Sequence, residues 1–582
     1  MYKIFTTHQN NFNINCCAIL FFIFSMHSYT IAADWKIKID SVYSMGSALT
    51  FDINNDGIKD IIIPKGYEDT TFHFVSGVMA LDGIDGKLIW DLRRRFDIYG
   101  TGKELDVNND GISELIFVGR LGEFFAVDKY NGKLIWEFLD TKNMYPKDSG
   151  WFNFYDPQII DDINGDGIKD IVITNGGNAE AGAGDSINRY PGYIMLVSGS
   201  NGSLISKLRT PDYKETYMSP IIHDFLNDGN QYVLFGTGGE TIKGSFWAIR
   251  LDYLQSMDST KFIKILSGTT KGFITTPSMA DLNLDNKLDI IIAGFDGTIT
   301  AINGGDFSKL WSVDFQGYEA YTSAAIGLIN TDTIPDVAIS LGYGLFSDYF
   351  HTLHVAINGS NGEILDTFKT NGDFSLSSPI VGKFGNHFND DVLFTTNYTF
   401  HGIEKTIFHV YNFNNHSFTD FDSIFNGFLF TQTPMFENID NDTEMDFVFV
   451  ETQHFILHND SLTNIKINKK SYPSVKTFTP NWSKFYGLNR DCKYINNNKY
   501  TKIDYFKSTP LNAKYYHHNI LLSELITNQN YQLFIYTISG QLVDKFPILN
   551  SNNLNYYLQD GIYVLVIYGN NYFASSKLIV KN

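Results

Sequence analysis

Short, unbroken apolar runs recur along the chain from Phe51 to Phe447, and each follows a polar loop of nearly fixed spelling. Ile61, Ile62 and Ile63 form one such run, and Ile290, Ile291 and Ile292 another. Continuous β-branched runs of this length suit strands buried on both faces. In the first unit the order is a small-residue run over 47–51, a polar loop, a strand over 60–63, a variable connection, a strand over 78–81, a tight turn over 82–87 and a strand over 88–91. The pattern predicts four short strands per unit.

The polar loop spells DxNxDGxxD in eight versions, starting at residues 52, 106, 162, 224, 281, 328, 383 and 438. The intervals average about 55 residues, the length of a four-stranded unit, and such units arrayed radially make a β-propeller. The expected fold is therefore all-β: an eight-bladed propeller, with seven blades as the alternative, followed by a small C-terminal β-sandwich. Alternate positions 1, 3 and 5 of each loop can turn oxygens toward one centre, a glycine near position 6 permits the sharp turn, and position 9 returns a carboxylate. That donor set suits Ca²⁺, a hard cation that takes six to eight oxygens. The competing reading is an Asx-rich turn, because Asn, Asp and Gly favour any turn.

The copies differ in completeness. Five carry a full set: Asp52, Asn54, Asp56 and Asp60; Asp106, Asn108, Asp110 and Glu114; Asp162, Asn164, Asp166 and Asp170; Asp281, Asn283, Asp285 and Asp289; and Asn438, Asp440, Asp442 and Asp446. The fourth has Leu226 and Tyr232 at positions 3 and 9, the sixth begins with Leu328, and the seventh, over 383–391, keeps little beyond its last carboxylate. The expectation is about five structural Ca²⁺ ions.

Turns later in each unit read DGIDGKLIW over 82–90, DKYNGKLIW over 128–136 and NGGDFSKLW over 303–311. Asp-Gly and Asn-Gly between apolar strands are hairpin signals. Trp90, Trp136 and Trp311 fall at equivalent strand positions, which predicts packing between blades rather than a ligand stack. The segment 34–40, with Trp35, Ile37 and Ile39 alternating with polar residues, reads as a final blade strand and is expected to complete the eighth unit and close the ring.

The loop followed by a β-branched strand resembles the FG-GAP or VCBS repeat of integrin α-type propellers, and the GKLIW turns resemble the repeats of PQQ-type propellers. The resemblance spans about residues 34–465 and implies a calcium-binding propeller, placed here at 33–465. It implies little about activity, since propellers host many functions.

Sixty-four acidic against 44 basic residues leave a formal charge of −20. Such an acidic chain is a poor partner for nucleic acid. Residues 1–32 read as a signal peptide, with Lys3 before an apolar core from Cys16 to Met26 that is too short to span a bilayer, so no transmembrane segment is expected. Removal of Cys16 and Cys17 with that leader would leave Cys492 as the one thiol and no internal disulfide.

The stretch 466–499, rich in Lys and Asn at its start, reads as a linker with short extended pieces, and 500–582 as a small β domain. Its order, YTISGQLV over 536–543, LQDGIYVLVI over 558–567 and SSKLIVK over 575–581, resembles the C-terminal sorting domain of the type IX secretion system in Bacteroidetes-type bacteria. The resemblance implies type IX machinery as a partner and a secreted or outer-membrane surface-attached protein.

The cation loops lie on one face of the disc, and the longer, variable connections on the other. Those include 142–155, with Tyr145, Trp151, Phe152, Phe154 and Tyr155, and also 176–192, 211–217 and 317–321. Exposed aromatics beside polar groups make platforms for a glycan or a protein ligand. The first reading is a calcium-binding adhesion or binding module with its ligand on that face. The alternative is an extracellular polysaccharide-degrading, lyase-like enzyme, or a quinoprotein dehydrogenase. His223, Arg189 and Arg93 to Arg95 lie near blade connections, but no residue is identified as catalytic, and no Ser/His/Asp signature, phosphate loop or zinc spacing is present.

Overall fold

The computed structural model describes residues 34–66, 75–138, 153–178 and, with short breaks, 185–494 and 509–580. The signal peptide assigned to 1–32 lies outside them, as do Tyr145, Trp151 and Phe152. Strands dominate, and one short α-helix, Leu251–Gln255, occurs among the described residues. No helix among them is long and apolar enough to cross a membrane.

Eight antiparallel sheets occupy the region of the eight repeats. The first shows the plan: Leu49–Phe51, Asp60–Lys65, Ser76–Leu81 and Leu88–Arg94 pair in chain order. The cation loop joins the first two strands, and the Asp-Gly turn joins the last two. Ile61, Ile62 and Ile63 are wholly buried, because each sheet is covered by a neighbour on both faces. The architecture is that of a β-propeller.

The eighth sheet runs Trp35–Asp40, Asp460–Tyr472, Met445–Leu457, Met435–Glu437. The N-terminal strand pairs with Asp460–Tyr472 from Trp35 opposite Lys469 to Asp40 opposite Asn464, so the start of the propeller completes its last sheet. The neighbouring strands differ from expectation. Met445–Leu457 is one long strand, and the polar stretch after it, assigned partly to a linker, is its partner. Ile465 and Ile467 alternate inward and are fully buried. The intervening charges are neutralised across the sheet: Lys469 lies 3.0 Å from Asp446, and Glu451 lies 3.3 Å from Lys466 and 2.7 Å from Lys36. Paired charges make this composition compatible with a buried strand.

A second departure concerns 480–494. Pro480–Trp482 pairs with Ile380–Gly382, the first strand of the seventh sheet, and the chain then crosses from one sheet's first strand to the next. Phe436 donates to the Ser483 carbonyl at 3.1 Å, Lys484 reaches Glu437 at 3.1 Å, and Lys103 donates to the Arg490 carbonyl. Met279 donates to the Cys492 carbonyl at 2.7 Å, and Tyr494 returns a bond to Met279 at 2.8 Å. First strands are innermost in a radial array, so this segment fills the axis of the propeller instead of linking domains. Cys492 is buried within it as a free thiol, pushed up to about 12 by burial and so inert.

Beyond it, a five-stranded and a three-stranded sheet share a core of Ile520, Leu522, Leu533, Ile535, Leu565, Ile567 and Leu578. Of the three segments read as the sorting-domain pattern, 536–537, 561–567 and 575–580 lie in the strands Asn530–Thr537, Gly561–Gly569 and Tyr572–Val580.

Candidate functional site

The loop aspartates are organised by the backbone they bend around. In the first loop, Asp52 accepts from the amides of Asp56 and Gly57 at 3.1 and 3.0 Å, and Asn54 accepts from Asp56 at 3.0 Å. Asn55 and Gly57 supply the left-handed backbone that the turn requires. Asp60 accepts from Ile53 at 2.8 Å and, across the sheet, from Gly83 of the hairpin turn at 2.9 Å. Asp170 with Gly199, Asp289 with Gly304 and Asp336 with Gly359 repeat that link. The ninth position thus ties the cation loop to the later turn of its own sheet. Burial pushes these carboxyls upward, to about 6 at Asp289.

Two first-position oxygens, Asp281 Oδ1 and Asn438 Oδ1, are buried with no hydrogen-bond partner among the described residues. An orphaned inward oxygen fits a cation loop. Among the described residues no three His, Cys, Asp or Glu side chains gather into a metal cluster, so an ion would draw on the Asn and backbone oxygens as well. The second and third loops repeat the geometry of the first, with Asp106 and Asp162 accepting from Gly111 and Gly167 at 2.9 and 2.8 Å. Asn108 and Asn164 cap Asp110 and Asp166 at 2.9 Å each, as Asn283 caps Asp285 in the fifth loop. Glu114 accepts from Val107 at 2.9 Å in place of the usual aspartate. The eighth loop differs: Asp440 accepts from Asp442 at 3.3 Å, but Asp446 already holds the buried ammonium of Lys469. An internal cation thus already sits on the ninth-position carboxylate of that loop.

At the opposite end of the first strands lies a cavity of about 350 Å³. The seventh residue before each loop start lines it: Met45, Tyr99, Tyr155, Tyr217, Ile274, Tyr321, Leu376 and Thr431. One register position, read across eight repeats, builds the rim. Two residues further on, hydroxyl side chains form a belt between neighbouring sheets. Thr433 donates its amide to Ser47 Oγ at 2.9 Å, Ser378 donates to Thr433 Oγ1 at 3.1 Å, and Thr101 donates to Asp156 at 2.9 Å. Phe485 and Tyr486 of the axial segment also line the cavity, and the Tyr486 hydroxyl is 3.1 Å from Ser219 and 3.0 Å from Thr276.

The charged groups here are Arg120, Asp156 and Glu240 on the lining, with Glu215 and Arg189 beside them. Burial pushes Asp156 up to about 6 and Glu215 up to about 7. Tyr217 donates to Glu215 at 2.6 Å, and Arg189 donates to both.

Of the variable connections, Tyr155, Tyr217 and Tyr321 reach the cavity, whereas Phe154 is fully buried against Phe124 and Phe138. Arg94 is spent on Glu123 and Glu137, 2.7 Å from each, and His223 packs edge-on to Phe225. The candidates His223 and Arg93 to Arg95 do not converge with Arg189. Asp156, Glu215 and the rim column were not anticipated, although aligning the repeats on their loops places tyrosine at one position in four copies.

A search of curated proteins finds no sequence match. Among solved structures, BamB from Moraxella catarrhalis is 12% identical, with a TM-score of 0.38 over 74% of this chain and 98% of that one. Quinohemoprotein alcohol dehydrogenase ADHIIG from Pseudomonas putida HK5 is 11% identical, with a TM-score of 0.46 over 75% of each chain. Rhamnogalacturonan lyase PL11 from Bacillus licheniformis is 12% identical, with a TM-score of 0.33 over 75% of this chain and 74% of that one. Nothing about the activity of this chain passes through these likenesses. The FAM234A/B beta-propeller family matches residues 35–379, from the ring-closing strand to the edge of the seventh sheet. That match covers more than half of the sequence, and the chain belongs to the FAM234A/B β-propeller family.

Proposed function

We propose that the chain is a secreted or surface-attached binding propeller, whose FG-GAP/VCBS-type loops hold structural Ca²⁺ and whose glycan or protein ligand enters the cavity on the opposite face. One observation carries this reading: the register position that faces the cavity is tyrosine in four repeats, and those rings are half-buried along a pocket that Phe485 and Tyr486 also line. Tyrosine offers a flat apolar face and a polar tip, which suits a ligand that must be held and oriented. Ions in the first, second, third and fifth loops would brace the other face, with Lys469 substituting in the eighth. The C-terminal sandwich would act as a type IX sorting domain.

A lyase reading draws on Asp156, which burial brings to about 6, and Arg120 in the same lining, a base and a charge-neutralising group. The experiment that divides the two is a glycan and protein array run with the calcium-loaded chain beside an absorbance assay for unsaturated oligosaccharides. Retained ligand without product supports the binding module; product without retained ligand overturns it.

A further inference from the structure

Charge around the cavity is unbalanced on one side. Arg189 lies 3.3 Å from Glu215, which burial raises to about 7, and also beside Glu240, so one guanidinium is shared between two acidic side chains. Among the described residues, Glu215 Oε1 and Glu240 Oε2 are both buried with no hydrogen-bond partner. Arg120 does not compensate them, because it is engaged with Asp97 at 3.6 Å. A buried carboxylate oxygen without a donor is costly, and a ligand that brings a donor and a positive charge relieves that cost.

The surrounding rings favour the same chemistry. Tyr155 stands between Tyr99 and Tyr217, with 6.1 Å between ring centroids on either side, and Tyr321 and Glu240 share the lining with them. Aromatic faces attract cations through their quadrupole, most strongly where water is partly excluded.

We propose that this cavity binds an ammonium or guanidinium group, with Glu240 as counter-charge and Tyr155, Tyr217 and Tyr321 as the aromatic wall. An anion would meet the unpartnered carboxylate oxygens. A neutral sugar would bond the hydroxyl belt but leave the carboxylates uncompensated. The cationic group arrives either on a small amine or at the tip of a lysine or arginine side chain of a protein ligand. The inference rests on the reading of this face as the binding surface and names what that surface selects.

The test titrates the full chain, in calcium, with n-butylammonium, n-butylguanidinium and the neutral isostere n-butanol, followed by calorimetry and tyrosine fluorescence. N-acetyl-lysine amide and N-acetyl-arginine amide form a second arm, which separates a side-chain source from a small amine by which set binds more tightly. Saturable binding of the cations and none of butanol is expected. Glu240→Gln is expected to weaken cation binding about tenfold, the worth of one charge-assisted bond. Tyr321→Leu, which keeps an apolar wall but removes the π face, is expected to weaken it about threefold. Circular dichroism checks that both variants are folded. Equal binding of butanol and butylammonium, or unchanged affinity in folded Glu240→Gln, overturns the proposal. If cations fail while array ligands are lost in Tyr155→Ala, the cation proposal falls and the binding face stands; if Tyr155→Ala leaves array binding intact, the binding face itself falls.

Discussion

The indole Nε1 of Trp35 donates to the carbonyl oxygen of Gly83 at 3.0 Å, which ties the last strand of the eighth sheet to the hairpin turn of the first. The same bond recurs from Trp90 to Lys129 at 2.9 Å, Trp136 to Gly199 at 2.9 Å and Trp311 to Gly359 at 2.6 Å. Each ring also lies flat against a left-handed glycine of that turn: a Cβ on Gly132 would sit 2.7 Å from the Trp90 ring, and one on Gly202 would sit 2.5 Å from Trp136. The GKLIW turns are thus both donor and receptor, one repeat's tryptophan seating on the next repeat's turn.

Trp90→Ala is therefore expected to lower stability by about 3–5 kcal/mol, because it removes a nearly buried ring. Trp90→Phe, which keeps a ring but loses the donor, should cost about 1 kcal/mol. Gly132→Ala should cost about 1–3 kcal/mol, since that position needs both a positive φ and the space. Urea unfolding of the three variants measures these differences, and a Gly132→Ala protein as stable as the parent would contradict the docking arrangement.

A chain ending at residue 465 is expected to fail to fold, and one ending at 494 to fold. The shorter chain cuts the strand Asp460–Tyr472 in half and discards the axial segment with Trp482 and Tyr486, both nearly fully buried. Expression followed by limited proteolysis distinguishes the two. An equally protected core in the shorter chain would show that the axis does not need its filling.

Stability near the cavity should depend on pH through Glu215. Burial raises its folded pKa from 4.5 to about 7, so the folded state keeps a proton that the unfolded state releases. That contribution is fully present below 4.5, declines as pH rises, and is gone above about 7. Glu215→Gln, which mimics the protonated form, should flatten this decline, so the parent loses stability relative to the variant across that window. The slope is bounded by about 1.4 kcal/mol per pH unit. Parallel pH profiles of the two proteins would contradict it.

Chelation tests the proposed ions. An ion bound at a hundredfold excess over its dissociation constant contributes about 2.7 kcal/mol per site. Excess EDTA is expected to lower the melting temperature by several degrees, and Asp52→Ala should lose part of that response while Asp446→Ala should not, because Lys469 already serves the eighth loop. An unchanged melting temperature in EDTA would remove calcium from the account.

The loops, hairpins and ring closure were legible in the sequence because each is local: Asp52 to Asp60 bonds within itself, and Trp35, Ile37 and Ile39 alternate within six residues. The polar strand Asp460–Tyr472 was not legible, because what makes Lys466 and Lys469 tolerable there are carboxylates on a strand many residues away. The axial segment is also set by tertiary contacts alone, since Tyr486 finds Ser219 and Thr276 only once the ring exists. The tyrosine column lay between these cases: it is periodic, but visible only when repeats are aligned on their loops.

The central claim is that the working surface is the tyrosine-lined cavity and that the loops are scaffold. Array binding by the calcium-loaded parent, Tyr155→Ala with Tyr217→Ala, and Asp52→Ala with Asp56→Ala tests it most directly. Loss of ligand from the folded cavity variant, with the loop variant less stable but still binding, is the predicted result; ligand lost from the loop variant and kept by the cavity variant would contradict it.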